Sequence, residues 1–154
     1  MKKLIVIIAL FLGAIAHAQT EADIRNDEAF QQILEKQIAF TVTENRESLQ
    51  AVGDFQQLVP EDFDFFMSST YTPEDFREWI SSRIDDSGFE SVEDAVAKYK
   101  TFTDVTNRNY TKSLELGKEI RMVKEKFDNK ELFDKVFMEE LKKGLDKLPV
   151  KPLE

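Results

Sequence analysis

The segment that decides the fold is Ser91–Phe127, which reads SVEDAVAKYKTFTDVTNRNYTKSLELGKEIRMVKEKF. It opens with Ser91 three residues before Asp94, a spacing typical of a capped helix N-terminus. Apolar residues then recur mainly at three- and four-residue spacing, which predicts helix. They are Val92, Ala95, Val96, Tyr99, Phe102, Val105, Leu114, Ile120, Val123 and Phe127.

The centre of this segment leaves two arrangements open. Residues Thr103–Thr111 (TDVTNRNYT) are weak helix formers whose side chains prefer to bond the nearby backbone. They form either the polar, bent middle of one long helix or a break between two helices. Beyond them the apolar stripe has a period close to seven, which would also suit a coiled-coil dimer.

Patterns on both sides predict further helices. The first begins near Asn26, with Asp27 and Glu28 in its first turn. The sequence Thr41–Glu44 (TVTE) either interrupts this helix or starts a new one through a capping box. A second helix ends before Pro60, and a last helix follows a cap at Asp128 or Asn129.

The tetrapeptide Pro-Glu-Asp-Phe occurs twice, at Pro60–Phe63 and Pro73–Phe76. Thr72 before the second copy is a good N-cap with Pro at the first helical position, so a helix is predicted from there to about Ile84. Val59 before the first copy is a poor cap, and we expect only a short helix there.

These patterns together predict an all-α fold, a small helical bundle of four to six helices with at least one long helix. Only five Gly and four Pro occur in 154 residues. This leaves few turns for a fold with many strands.

The first 18 residues have the features of a cleaved signal peptide. Lys2 and Lys3 form a basic start, Leu4–Ala16 is apolar, and Ala16-His17-Ala18 fits a small-x-small cleavage site. We therefore expect residues 19–154 to form a single helical domain, exported to the periplasm or the medium. The apolar stretch is shorter than the roughly 20 residues of a spanning helix, so no stable membrane insertion is expected after cleavage.

The composition excludes several chemistries. The chain has no Cys, and its only His, His17, lies in the predicted signal peptide. Ser-His-Asp triads, Cys nucleophiles and ordinary zinc sites are therefore excluded from the mature chain. We predict a non-catalytic protein with no cofactor and no metal. One alternative is a weak, irregular calcium site at Asp85, Asp86 and Glu90; the EF-hand pattern itself fails, because it would place Arg83 at the first ligand position.

Charge suggests the class of partner. Residues 54–94 contain 12 Asp and Glu and only two Arg, a net charge of −10. Nucleic acid is a poor partner for such a segment, whereas a basic protein fits it. We predict an acidic helical protein that acts by binding a basic protein, as an inhibitor or immunity-type protein would. A solvated acidic face that only aids solubility is the alternative.

Within this segment we predict partner-binding residues where aromatic rings alternate with acids. The candidates are Asp62, Asp64, Phe65, Phe66 and Tyr71. Aromatic anchors with a charged rim are typical of recognition sites. The alternative is that the rings form a buried connector between two helices.

Two further functions stay open at this stage. The 13 Phe of the chain would suit a helical carrier that holds an apolar small molecule among its rings. A carboxylate-dependent hydrolase of the cell envelope needs only two acids, and Glu78 beside Trp79 is the candidate.

Overall fold

The computed structural model describes residues 19–65 and 70–148. The described part contains six α-helices, one 3-10 turn at Ile84–Asp86 and no strand, so the all-α prediction is confirmed. The helices are α1 (Glu21–Asn26), α2 (Glu28–Val42), α3 (Glu44–Gln56), α4 (Pro73–Ser81), α5 (Val92–Lys124) and α6 (Lys130–Asp146).

Helix α5 is continuous over 33 residues, about 50 Å at 1.5 Å per residue. The Thr residues at its centre do not interrupt it. The hydroxyl of Thr103 donates to the carbonyl of Tyr99 at 3.0 Å, and that of Thr106 donates to the carbonyl of Phe102 at 2.9 Å. Each hydroxyl bonds the preceding turn of its own helix, so the polar middle is compatible with one long helix.

Two helix starts follow the capping predictions. The side chain of Ser91 accepts a hydrogen bond from the Asp94 amide at 3.1 Å. Thr72 and Asp75 form a reciprocal capping box at the start of α4, with Pro73 in the first turn. Both predicted starts are confirmed.

The predicted end of α4 is wrong by three residues, since the helix stops at Ser81. Side chains there satisfy the last carbonyls: the Ser81 hydroxyl donates to Arg77 O at 2.6 Å, and the Arg83 guanidinium donates to Trp79 O at 3.1 Å. Because these carbonyls have partners, the helix can end before the 3-10 turn.

The start predicted near Asn26 agrees with the structure to within one residue. The cap of α2 is Asp27, whose carboxylate accepts from the Phe30 amide at 2.9 Å. The sequence reading missed α1, which begins with its own capping box between Thr20 and Asp23.

Of the two alternatives for Thr41–Glu44, the interruption is confirmed, since α2 ends at Val42 and α3 begins at Glu44. No capping box forms there: the Thr41 hydroxyl donates back to Gln37 O at 2.9 Å, and Thr43 accepts no side-chain cap bond. At Pro60–Phe63 the expected short helix is a turn, closed by a 3.0 Å hydrogen bond from Phe63 N to Pro60 O.

Two hydrophobic clusters lie along α5. We call the first the aromatic cluster; it joins the N-terminal half of α5 to α3, α4 and their connecting loops. Its buried members are Phe55, Val59, Phe63, Phe76, Ile80, Phe89, Ala95, Tyr99 and Phe102. The second, the mixed cluster, contains residues of α1, α2, α6 and the C-terminal half of α5. Its buried members are Ile24, Phe30, Ile33, Leu34, Leu116, Phe127, Phe133, Val136 and Phe137.

Between the clusters α5 presents a polar position to the bundle. Asn109 lies seven residues from both Phe102 and Leu116, on the same side of the helix. Its Nδ2 atom is buried without a hydrogen-bond partner among the described residues. Ion pairs join α5 to α3 beside it, Arg108 to Glu47 at 2.7 Å and Lys112 to Glu44 at 2.6 Å.

Candidate functional site

Four of the five predicted partner-binding residues lie in the described part of the chain, beside the aromatic cluster. Asp62 and Asp64 are exposed, whereas Phe65 and Tyr71 are half-buried and pack against the cluster. The Phe65 ring lies 5.0 Å from Phe63. Phe66 lies outside the described residues. Phe65 and Tyr71 therefore belong partly to the core, and only part of each ring is available to a partner.

The position of Tyr71 is set by a hydrogen bond from the long helix. The hydroxyl of Tyr99, which is fully buried, donates to the main-chain carbonyl of Tyr71 at 3.0 Å. Burial raises the pKa of Tyr99, with a smaller contribution from Asp75. The phenol therefore keeps its proton and ties the loop before α4 to α5.

The sequence reading missed a cation stacked on the single Trp. The guanidinium carbon of Arg83 lies 4.8 Å from the centre of the Trp79 ring, while its Nε donates to Asp62 at 3.0 Å. The only signal in the sequence was the four-residue spacing of Trp79 and Arg83, which places them on one side of a helical turn. Asp62 thus already has a cation partner.

Three cations in or beside the acidic segment 54–94 are bonded to acids of the same chain. Arg77 pairs with Glu93 at 2.9 Å, Arg83 with Asp62, and Lys98 with Asp94 at 2.8 Å. Other exposed carboxylates form no ion pair within the described residues. They are Asp54, Glu61, Glu74, Asp75, Glu78, Asp85, Asp86 and Glu90. We call these eight residues the unpaired acids.

A groove of about 380 Å³ lies between α3 and α5 on the same half of the bundle. Its base is formed by Phe55 and Phe102, whose rings stack with centroids 4.7 Å apart and planes only 6° from parallel. Apolar side chains of Ala51, Leu58 and Val105 line it, together with Glu47, Gln50, Asp54, Lys98 and Thr101. We call this site the α3–α5 groove. No sequence motif indicated it, since its two walls are about 50 residues apart in the chain.

A second groove, of about 310 Å³, lies between α2 and α5 near the break at Thr43. Charged pairs cross it, Lys36 with Glu119 and Lys112 with Glu44. The ammonium group of Lys112 and the hydroxyl of Thr43 lower the pKa of Glu44 to about 2. Its charged side chains therefore mainly bond one another.

The residues of the other predicted functions have the following positions. Glu78 is exposed on α4. The Phe rings of the aromatic cluster contact each other, with Phe55 at 5.6 Å from Phe63 and 5.8 Å from Phe76. The hydrolase and the carrier of an apolar molecule stay predictions.

Within residues 19–65 and 70–148, no three acidic or His side chains are arranged to hold a metal ion. In the same ranges no helix combines the length and apolar character needed to cross a bilayer.

Comparison of this chain with protein-family models, with curated proteins and with solved structures gave no match.

Proposed function

We propose that the chain is an exported binding protein that holds a basic protein partner on the acidic surface over its aromatic cluster. The observation that supports this proposal is the distribution of charge. The cations of this surface are bonded to acids of the same chain, and the unpaired acids remain for a partner.

Such a surface would act mainly through long-range attraction and orientation. Exposed acids steer a cationic protein toward the surface and reject acidic ones, an effect that salt weakens. Affinity also needs contacts that exclude water. The half-buried rings of Phe65, Tyr71 and Trp79, which rest on the aromatic cluster, would supply part of this contact.

Export belongs to the same proposal and rests on the N-terminal sequence alone. Expression of the full chain in a bacterial host, followed by mass analysis of the periplasmic fraction, tests it. We expect a product that begins at Gln19. A product that keeps residues 1–18 in the cytoplasm would contradict export without affecting the binding proposal.

The binding proposal is tested by capture from an envelope fraction on immobilised residues 19–154, with elution by rising salt. We expect a basic protein whose retention falls as salt rises, because the Debye length shrinks from about 10 Å at 0.1 M to about 3 Å at 1 M salt. Retention that is insensitive to salt, or an acidic captured protein, would contradict the proposal.

A matched pair of variants locates the surface. The first neutralises three unpaired acids, by Glu61→Gln, Glu78→Gln and Asp86→Asn. The control removes the same charge from exposed positions beside the mixed cluster, by Asp128→Asn, Glu131→Gln and Asp146→Asn. We expect the first variant to lose the captured protein and the control to keep it. Equal loss in both would mean that net charge alone, and no particular surface, is responsible.

A further inference from the structure

We propose that the α3–α5 groove is the anchor site for a cationic amphipathic helix of the partner, whose apolar side chains enter the groove. This inference rests on the proposed function and adds the part of the partner that is recognised. A helix lying in a groove with apolar side chains at i, i+4 and i+7 is a recurrent mode of peptide recognition.

The groove has the length that such a helix needs. Along α3 it extends from Glu47 to Phe55, and along α5 from Lys98 to Val105. At 1.5 Å per residue these walls are about 12 Å and about 10 Å long. Side chains at i, i+4 and i+7 of a bound helix span about 10 Å by the same measure, so the apolar side chains of two helical turns match the length of the groove.

The base of the groove is apolar and firmly held. Phe55 and Phe102 are only 3% and 6% exposed, and both are packed inside the aromatic cluster. Phe55 also lies 5.6 to 5.9 Å from the rings of Phe63, Phe89 and Tyr99. Side chains that enter the groove would therefore meet a surface that is ordered before binding, which lowers the entropy cost of association.

The charges at the rim favour a cationic helix. Lys98 is bonded to Asp94 at 2.8 Å and Glu47 to Arg108 at 2.7 Å. Asp54, in contrast, has no Lys or Arg within ion-pair distance among the described residues. It begins the segment 54–94, whose net charge is −10. Lys or Arg beside the apolar side chains of the ligand would meet this charge, whereas acidic residues would be repelled.

The experiment uses residues 19–154 and three synthetic fluorescent peptides of equal length, with binding followed by anisotropy. The first contains Leu and Lys, with Leu at i, i+3, i+4 and i+7. The second has the same composition in scrambled order. The third keeps the Leu pattern and replaces Lys by Glu. We expect the patterned Lys peptide to bind about tenfold more tightly than the scrambled one, the effect of one buried apolar anchor. The Glu peptide should bind least.

Two variants with the same chemical change show in which groove the peptide binds. Ala51→Phe fills the α3–α5 groove, whereas Ala39→Phe changes the groove between α2 and α5. We expect Ala51→Phe to remove the preference for the patterned peptide and Ala39→Phe to keep it. Circular dichroism of both variants checks folding. If Ala51→Phe does not fold, the comparison of the three peptides on the wild-type chain still decides the inference.

The outcomes separate this inference from the proposed function. If patterned and scrambled Lys peptides bind equally, and both lose affinity in the Glu61, Glu78 and Asp86 variant, the groove is not the anchor and the acidic surface is retained. If the Glu peptide binds as well as the Lys peptide, the cationic part is wrong. If no peptide binds while the native partner is captured, the groove inference fails alone. If neither peptide nor partner binds, both proposals fail.

Discussion

The two ends of α5 are packed in different ways. In the aromatic cluster, rings contact rings: Tyr99 stacks on Phe76 with centroids 4.2 Å apart, and Phe55 stacks on Phe102. In the mixed cluster, Ile24, Ile33 and Val136 fill the spaces between fewer rings. One helix therefore supports a core made mostly of rings and a second core in which four Phe rings, two of them stacked, share the interior with aliphatic side chains.

The surfaces over the two clusters also differ in how many of their charged side chains form ion pairs. Beside the mixed cluster, Arg25 alone is bonded to three acids, Glu21 at 2.8 Å, Glu140 at 2.9 Å and Glu139 at 3.0 Å. Lys143 and Arg25 lower the pKa of Glu140. Over the aromatic cluster the unpaired acids are exposed to solvent and form no ion pair within the described residues.

This difference indicates that different interactions stabilise the two halves of the bundle. Networks of ion pairs hold α1 against α6, although each exposed pair contributes only about 0 to 1 kcal/mol. The unpaired acids contribute no such pairs within the described residues, and the packing of that half is supplied by the aromatic cluster. The carboxylates that have no ion pair lie over a packed core and are free to attract a cationic partner. This is why we place the proposed function on that surface.

The largest expected effect comes from Phe55, the centre of the aromatic cluster. We expect Phe55→Ala to lower the free energy of unfolding by about 3 to 5 kcal/mol, because it removes a buried ring and leaves a cavity. Urea denaturation should be followed by circular dichroism and by fluorescence of Trp79, the only Trp, which lies 5.9 Å from Phe76.

The same measurement decides whether the clusters unfold together. Since α5 runs through both, we expect the two signals of Phe55→Ala to share one midpoint. A Trp79 transition that shifts alone, while the helical signal of the mixed half keeps its midpoint, would show that the clusters are independent units.

A close approach of two loops gives the next effect. Gly88 N donates to Leu58 O at 2.8 Å, and a Cβ added at Gly88 would lie 3.3 Å from the Leu58 Cα. We expect Gly88→Ala to cost about 1 to 3 kcal/mol, because the backbone of Leu58 cannot easily move. Thermal denaturation measures this cost.

Gly53 is the matched control in the same half. A Cβ added there meets no atom within 4 Å, and Gly53 lies inside α3. Gly53→Ala should therefore stabilise the chain by about 0.5 to 1 kcal/mol through helix propensity. Destabilisation of the same size by both substitutions would contradict the close approach at Gly88.

A smaller effect is expected from the hydrogen bond between Tyr99 and the Tyr71 carbonyl. Tyr99→Phe removes the donor and keeps the ring stack, so we expect a loss of about 0.5 to 1.5 kcal/mol. Tyr110→Phe is the control, since Tyr110 is 65% exposed and should change nothing measurable. A neutral Tyr99→Phe in urea denaturation would mean that ring packing alone positions the loop before α4.

The smallest expected effect is a change in how stability depends on pH. The pKa of Glu44 is lowered from 4.5 to about 2 in the folded chain, so its ionised form stabilises the fold above pH 4.5. This contribution is lost as the pH falls from 4.5 through about 2. We expect acidification from neutral pH into this window to lower the urea midpoint of Glu44→Gln less than that of the wild type.

Glu78→Gln provides the control for this comparison, because Glu78 belongs to the unpaired acids. It should lose stability on acidification as the wild type does. If Glu44→Gln also follows the wild type, the bonds of Glu44 to Lys112 and Thr43 do not contribute in solution.

Local signals in the sequence predicted much of the fold. The caps at Thr72 and Ser91 depend on residues three positions apart, so they were visible without any tertiary information. Helix α1 has the same kind of local cap, between Thr20 and Asp23, but it was missed because it has only six residues and buries only Ile24. Besides the local pair with Glu21, Arg25 is bonded to acids 114 and 115 residues away, which no local pattern reveals.

The candidate site was less predictable than the fold. The sequence pointed to rings among acids, but burial decides how much of Phe65 and Tyr71 a partner can reach. The α3–α5 groove was not predicted at all, since Phe55 and Phe102 stack across 47 positions of sequence and their apolar character alone indicated only core.

The sequence by itself therefore determined the helical class, the main helix starts, the acidic segment and the absence of His and Cys from residues 19–154. Each of these depends on composition or on bonds within one helical turn. Only the tertiary structure decided that the core divides into two clusters and that Arg77 and Arg83 are paired with Glu93 and Asp62. These features depend on contacts between distant residues, whose free energies become favourable only after the helices have packed.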